Sequence, residues 1–182
     1  MSRVRWRRLL ITLALAFGAA VIMNWAILAL FGQRSADRAQ HSLLGILLLM
    51  TCVYLMYHKE ARVGAVAFFT MALIPCYLGT VFPDLDITLL GIGSHRNPLF
   101  HSSLSFFVLL ALVKRQHVFL RTLVLGYGVG LASHLLWDIY DYGNVHWLPG
   151  GFIDRLWLGV NGLACLVPLG IESEWHRAGE IC

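Results

Sequence analysis

The chain has 182 residues, of which 58% are hydrophobic and 13% are charged, and its mean hydropathy is +0.70. A soluble domain carries about 25% charged residues, so the composition excludes an ordinary soluble domain and indicates a membrane protein. The net charge of +4 does not indicate nucleic-acid binding, because the first basic residues form the cluster "SRVRWRR" ahead of an apolar run, which is typical of contact with anionic lipid head groups.

Six apolar segments follow one another along the chain, each near the length of about 17–25 residues that crosses a bilayer. They are residues 9–31, 42–57, 63–82, 97–113, 118–137 and 156–171. The first is interpreted as a retained anchor rather than a signal peptide, because it is long and no cleavage site ends it. We therefore predict an all-α, polytopic helical bundle with about six spans, forming a single membrane domain over residues 1–182.

The Lys and Arg residues predict the orientation of this bundle, since they are enriched in cytoplasmic loops. With the N-terminus inside, ten of the fourteen lie on the inner side: Arg3, Arg5, Arg7, Arg8, Lys59, Arg62, Lys114, Arg115, Arg121 and Arg177. Four lie on the outer side: Arg34, Arg38, Arg96 and Arg155. We predict both termini on the cytoplasmic side, and five histidines on the outer side: His41, His95, His101, His134 and His146.

Three motifs converge on this outer face. The first is "FPDLD", in which Pro83 ends the third segment and Asp84 and Asp86 follow in an extended or turn conformation. Negative charge at a helix C-terminus is unfavourable for the helix dipole. This cost favours a functional role for the carboxylates, as metal ligands or as partners that orient a histidine ligand, over a merely solvated helix end.

The second motif, "SHRNPLFHS", predicts a helix start, because Asn97 suits the N-cap and Pro98 the first turn. His101 then lies on the first turn, with His95 and Arg96 in the loop before it. The guanidinium of Arg96 is suited to bidentate binding of a phosphate. The alternative is an interfacial arginine that meets only lipid head groups.

The third motif is "SHLLWDIYD", where His134 and Asp138 are spaced i and i+4 and share one helix face. An ionisable residue inside a span needs a partner or a polar cavity. A metal site and a His–Asp hydrogen bond that packs the bundle both satisfy this need. Whether Asp141 and His146 join the site stays open. The nearby "GYGVG" lies within a span, and its small residues predict close approach of helices.

Taken together, "PDLD", "HRNPLFHS" and "GLASHLLWD" resemble the motifs of the YdjM-like (LexA-binding) family of inner-membrane-associated, metal-dependent hydrolases of bacteria. The resemblance covers a motif-bearing core at about residues 78–142, in the same order and with similar spacing. It departs at Phe100, where the family usually has a small hydroxyl residue. The resemblance implies a membrane-bound hydrolase with a divalent metal, located in the inner membrane of a bacterium, so that the outer face of the predicted bundle is the periplasmic side. It carries over seven positions: Asp84, Asp86, His95, Arg96, His101, His134 and Asp138.

These observations predict metal-assisted hydrolysis of a phosphoester, with a lipid or lipid-linked phosphate as substrate. The expected metal is zinc, with manganese or another divalent ion as alternatives, and one or two ions are bound. The predicted metal ligands are His95, His101, His134, Asp138, Asp84 and Asp86. Asp84 or Asp86 is the general base, and Arg96 stabilises charge on the phosphoryl oxygens.

Three other functions stay open. A metal-independent lipid phosphatase of the phosphatidic acid phosphatase type 2 kind also uses an H-x-x-x-D pattern, which His134 and Asp138 fit, but the Arg ahead of that His and the K-x₆-RP element are missing. A metal or proton transporter would place its site nearer the bilayer midplane. A non-catalytic membrane subunit would use the polar groups as a structural network. The oligomeric state is not predicted.

Overall fold

The computed structural model describes residues 33–57, 62–114, 117–141 and 143–178, together with Ile22 and Ala29. In this part of the chain the protein is all-helical, without strands. The helices are α1 Gln33–Met56, α2 Arg62–Val81, α3 Leu85–Leu90, α4 Leu104–Leu112, α5 Val118–Asp141 and α6 Phe152–Ala178, with a 3₁₀ turn at Ile92–Ser94. The predicted fold class is therefore confirmed at the level of an all-α protein.

Four of these helices are long and apolar enough to cross a membrane. Their apolar stretches are Ala39–Met56, Val63–Val81, Val118–Tyr140 and Phe152–Ile171. They correspond to the second, third, fifth and sixth predicted segments, and α6 continues through both Asn161 and Pro168. Of the first predicted segment, residues 9–31, all but Ile22 and Ala29 lie outside the described residues.

The fourth predicted segment is not a spanning helix. Its helix, α4, begins at Leu104 rather than at Asn97 and has nine residues, too few to cross a bilayer. The carbonyl of Asn97 accepts the N–H of His101 at 2.8 Å, which closes one turn. The N–H of Ser103 then donates to the side chain of Asn161 at 2.9 Å. Because this bond replaces a backbone partner, the turn does not continue as a helix.

The central helix of the bundle is α5. Of its apolar stretch 72% is buried, against 28–39% for the other three candidate spans. Glycines let α5 and α2 approach closely: a Cβ on Gly130 would lie 1.8 Å from the carbonyl oxygen of Cys76, and one on Gly79 would lie 2.2 Å from that of Tyr127. The prediction that "GYGVG" allows close helix packing is confirmed.

Several helix ends meet at one end of the bundle, which we call the cluster end. Gly45, in the first half of the apolar stretch of α1, packs against Thr80 at the end of α2, so these helices are antiparallel. The ring of His134 on α5 contacts the same Thr80, so α5 is parallel to α2. Gly159 near the start of α6 packs on Ile139 near the end of α5. The return from α2 to α5 passes through residues 95–103, which we call the 95–103 loop, and then α4.

Candidate metal centre

Seven histidine and aspartate side chains lie together at the cluster end. We call them the His/Asp cluster, and they are His41, Asp84, Asp86, His95, His101, His134 and Asp138. They come from α1, from the turn before α3, from α3, from the 95–103 loop and from α5. Five of them are at most 4% exposed, namely His41, Asp86, His101, His134 and Asp138. The structure thus brings together all six predicted metal-type residues and adds His41.

His134 is held in one tautomer by the neighbouring helix. Its Nδ1 lies 2.7 Å from the carbonyl oxygen of Thr80, and since a carbonyl only accepts, this nitrogen carries the hydrogen. The other nitrogen, Nε2, faces Asp138 Oδ2 at 3.5 Å and Asp84 Oδ1 at 3.8 Å. In the neutral ring this nitrogen has the lone pair. A lone pair facing two carboxylates requires a proton or a cation between them, and a carbonyl on the second nitrogen is the usual partner of a ligating histidine.

His101 lies between two carboxylates at the centre of the cluster. Its Nδ1 is 3.4 Å from Asp86 Oδ2 and its Nε2 is 3.4 Å from Asp138 Oδ2, beyond the usual hydrogen-bond range of about 2.7–3.2 Å. Within the described part of the chain, neither ring nitrogen of His101 nor Oδ2 of Asp138 has a hydrogen-bond partner. Buried polar atoms rarely lack one, so these three atoms indicate the place of an additional group.

Asp86 is fully buried within α3, not in the extended or turn segment that the sequence predicted. Its Oδ1 lies 3.0 Å from His95 Nδ1, and its Oδ2 accepts the N–H of Asn97 at 2.9 Å. Burial by itself would raise the pKa of Asp86, but the contacts with His101 and His95 and the bond from Asn97 outweigh it and bring the pKa well below its ordinary value. Asp86 therefore remains deprotonated, as a carboxylate, at neutral pH.

His41 is the cluster member that sequence reasoning missed. The topology prediction places it on the outer side, but no motif distinguishes it. Its ring stacks on that of His134 with centroids 3.9 Å apart and 13° between the planes. Its Nε2 lies 3.9 Å from Asp138 Oδ1. The available signal was an ionisable residue at the start of an apolar segment, which is costly unless it has a polar partner.

The cluster contains three sets of donor atoms that fit a divalent metal. Within each set the three ligand atoms lie within 4.8 Å of one another. The sets are the loop triad (Asp86, His95, His101), the helix triad (His41, His134, Asp138) and the middle triad (Asp84, His101, His134). Each offers two imidazoles and one carboxylate, a donor set that suits zinc with a fourth position open for substrate or water. Manganese also accepts carboxylate and imidazole donors.

Other residues that the motifs indicated lie beside the cluster. Arg96 has a left-handed backbone (φ 62°), and its guanidinium donates to Asn144 Oδ1. Its carbonyl accepts the N–H of His146 at 2.8 Å, while the ring of His146 packs on Trp147. His146 belongs to none of the three triads. The side chain of Asp141 lies outside the described residues.

A cavity of about 120 Å³ adjoins the cluster. It is lined by His41, Ser42, Tyr77, Thr80, Val81, Asp84, Leu85 and Thr88. His41 and Asp84 belong to both the cavity and the cluster. Tyr77 and Leu85 are exposed on the outer surface of the helices, so the cavity leads from an apolar surface to the buried donors.

The part of the chain that the structure describes is all-helical, with four candidate membrane spans and a candidate metal centre at one end of the bundle. The chain belongs to the family described as "Domain of unknown function (DUF5942)", whose model matches residues 63–176. The match includes six members of the His/Asp cluster and stops short of His41. No curated protein and no solved structure matches the chain.

Proposed function

We propose that this protein is a metal-dependent phosphoester hydrolase of the bacterial inner membrane, acting on a lipid or lipid-linked phosphate at the periplasmic face. The single observation that carries the proposal is the buried His/Asp cluster, whose donors are those of catalytic metal sites and whose His134 turns Nε2 toward two carboxylates. The resemblance to YdjM-like hydrolases implies the same class of reaction.

Five cluster residues take the metal-binding role, namely Asp86, His95, His101, His134 and Asp138, whereas Asp84, which the sequence also predicts as a ligand, acts as the general base. A divalent metal, when bound there, supplies Lewis-acid activation of water and of a phosphoryl oxygen. The protein contributes rigid positioning of the donors: the carbonyl of Thr80 orients His134, and the N–H of Asn97 orients Asp86. Because these groups are fixed before substrate arrives, little reorganisation is needed during the reaction.

The two aspartates of "PDLD" have different roles in this proposal. Asp86 is fully buried with a lowered pKa, which makes it a good ligand and a weak base. Asp84 is partly exposed and lines the cavity, so it can take a proton from an attacking water and release it to solvent. We expect Asp84→Asn to abolish hydrolysis while metal stays bound, as measured by phosphate release and by elemental analysis of the same sample.

Arg96 is proposed to bind the phosphoryl oxygens. It lies between two residues that shape the site, His95 and Asn97, and its guanidinium reaches Asn144. An arginine has five N–H donors. A guanidinium can therefore keep its contact with the 143–150 loop and meet an anionic substrate at the same time. We expect Arg96→Lys to weaken substrate binding and transition-state stabilisation, because a point charge does not reproduce the planar fork.

The substrate class follows from the surroundings of the cavity. Its inner wall has His41 and Asp84, whereas Tyr77 and Leu85 are exposed beside it. A phosphate on a hydrocarbon chain matches both surfaces, with its charged group at the cluster and its chain along apolar helices. Freely soluble phosphoesters match only the inner wall. We therefore expect lipid phosphates to be hydrolysed in preference to soluble ones.

The test is a phosphate-release assay on purified protein in detergent, with phosphatidic acid, a polyprenyl phosphate and a soluble aryl phosphate as substrates. We expect hydrolysis of a lipid substrate that stops after treatment with a chelator and returns with zinc or manganese. Full activity in chelator-treated, metal-free protein would overturn the mechanism and favour the metal-independent lipid phosphatase. His146→Ala is the matched control, since this histidine lies beside the cluster but outside all three triads.

The outward orientation needs its own test. Ile92 is exposed at the cluster end, and Lys114 is exposed at the opposite end of α4. In a variant without native cysteines, we expect Ile92→Cys to react with a membrane-impermeant thiol reagent added to intact spheroplasts. Lys114→Cys should react only after the membrane is opened. The reverse pattern would place the site in the cytoplasm.

Transport of a divalent cation is the second candidate function. It is favoured by the 95–103 loop, which is partly buried and interrupts the return between α2 and α5, as broken helices do in transporters. Its discriminating test is uptake of zinc into proteoliposomes. Uptake without hydrolysis of any lipid phosphate would reverse the ranking of the two functions.

A further inference from the structure

We propose that the His/Asp cluster binds two divalent metal ions, one in the loop triad and one in the helix triad, with His41 as a ligand of the second ion. The proposal rests on the proposed metal centre and deepens it. The two-ion proposal is tested by metal content and the hydrolase function by phosphate release. Either result can therefore be negative while the other is positive.

The loop triad and the helix triad share no residue. The first consists of Asp86, His95 and His101, and the second of His41, His134 and Asp138. Each has three donor side chains, two imidazoles and one carboxylate. A catalytic zinc site also has three protein ligands. Each therefore suffices for one ion without borrowing a donor from the other.

A single ion in the middle triad leaves much of the cluster unexplained. That triad uses Asp84, His101 and His134, and it leaves His41, Asp86 and Asp138 buried without a metal to bind. Buried carboxylates are costly unless they are paired or bind a cation. Asp86 has hydrogen-bond partners in His95 and the N–H of Asn97, but Oδ2 of Asp138 has none within the described residues. A second ion, in the helix triad, gives Asp138 the cation that a single ion in the middle triad does not.

His101 joins the two triads. Its Nδ1 faces Asp86 of the loop triad at 3.4 Å, and its Nε2 faces Asp138 of the helix triad at 3.4 Å. Both distances are too long for good hydrogen bonds, so a network of hydrogen bonds alone does not account for the arrangement. Asp84, the partly exposed carboxylate, then lies between the two ligand sets and beside the cavity.

His41 is placed for ligation by packing rather than by a motif. Its stacking on the ring of His134 fixes the plane of its imidazole, and its Nε2 points to Asp138 at 3.9 Å. It is 4% exposed, so it is desolvated together with the other two members of the helix triad. The ligand set of the second ion thus includes a residue outside the matched 63–176 region.

The experiment is zinc analysis of the full chain in detergent, stripped with a chelator, reloaded with excess Zn²⁺ and desalted. We expect two zinc ions per chain in the wild type, one in His41→Ala, one in His95→Ala and none in the double variant. Asp84→Asn and the matched control His146→Ala should each keep two. Monodisperse elution checks that each variant is folded, and His41→Gln replaces His41→Ala if the alanine variant does not fold.

Other stoichiometries contradict the proposal in distinct ways. One zinc ion that survives in both His41→Ala and His95→Ala but is lost in Asp84→Asn would show a single ion in the middle triad. One ion lost only in His95→Ala would leave the loop triad as the only site. Absence of zinc from the reloaded wild type would overturn this proposal, and absence of manganese as well after the same reloading would overturn the metal-dependent mechanism.

Discussion

The loop triad and the helix triad have the same donor chemistry but are held in place by different forces. The helix triad stands on α1 and α5, and the position of His134 follows from the backbone contact between Gly130 and Cys76 one turn away. The loop triad depends on single hydrogen bonds, such as that from Trp157 Nε1 to the carbonyl of His101 at 2.8 Å. A side chain that clashes with backbone separates two packed helices, whereas the loss of a single hydrogen bond lowers stability by only about 1 kcal/mol. Substitutions should therefore act abruptly on one triad and gradually on the other.

The largest effect is expected from Gly130→Leu. A side chain there would meet the carbonyl oxygen of Cys76, which is backbone and cannot rotate away. Overpacking typically costs about 1–3 kcal/mol, and a clash with backbone should cost at least about 3 kcal/mol and separate α5 from α2. We expect poor yield of folded protein and loss of metal binding, measured by gel filtration and zinc analysis.

The matched control for this helix contact is Gly170→Ala. Gly170 lies in α6, and a Cβ added there would meet open space beyond the backbone of its own helix. Alanine in a helix is favoured over glycine by up to about 1 kcal/mol, so this variant should be as stable as the wild type or slightly more. Wild-type stability in Gly130→Leu would show that the close helix contact is not what positions His134.

The next effect compares one histidine from each triad in metal-free protein. The side chain of His134 is 1% exposed and faces buried Asp138, while that of His95 is 23% exposed. Removing one partner of a buried pair costs about 3–5 kcal/mol. His95→Ala takes the partner from one oxygen of buried Asp86, which costs about 1–3 kcal/mol, but water can replace this partly exposed ring, so His134→Ala should unfold before His95→Ala. Thermal unfolding in detergent measures the difference. Equal losses of thermal stability in the two variants would show that packing does not hold the helix triad more firmly than hydrogen bonds hold the loop triad.

The helices were more predictable from sequence than the loop. Apolar length is a strong signal, so the segments that became α1, α2, α5 and α6 are found within a few residues of the bounds of their apolar stretches. The prediction of a helix starting at Asn97 is wrong. Ser103 donates its hydrogen bonds to Asn161, 58 residues further along the chain, instead of continuing a helix from Asn97. Local rules for N-caps give no information about such distant competitors.

The site was predictable where a motif and the topology agree. His134 and Asp138 are four apart on one helix, and the alternation of spans brings "PDLD" and "SHRNPLFHS" to the same end. The membership of His41 was not predictable, because it depends on the rotation of α1 that stacks its ring on His134. The contact of Arg96 with Asn144 likewise depends on a loop conformation with positive φ, which no motif specifies.

A graded effect is expected where the 95–103 loop is anchored to α6. Asn161 Oδ1 accepts both the N–H and the hydroxyl of Ser103, at 2.9 and 2.8 Å. Asn161→Ala removes both bonds, and loss of groups that orient ligands typically lowers metal affinity by about 10–100-fold. We expect zinc to bind the loop triad about 10-fold more weakly in a competition titration with a chromophoric chelator. The helix triad is the internal reference, and equal weakening of both would contradict separate support for the loop.

The smallest effect should come from Trp157→Phe, which keeps an aromatic ring against the bundle but removes the indole N–H that binds the carbonyl of His101. The lost bond is worth about 1 kcal/mol, which corresponds to roughly a five-fold change in affinity. Zinc affinity of the loop triad should fall by that factor, and less than in Asn161→Ala. Trp147→Phe is the matched control, because Trp147 is 71% exposed and its replacement should leave both triads unchanged.

If Trp157→Phe instead weakened the helix triad as much as the loop triad, His101 would be transmitting the disturbance to Asp138. The two triads would then form one cooperative site rather than two separately supported ones.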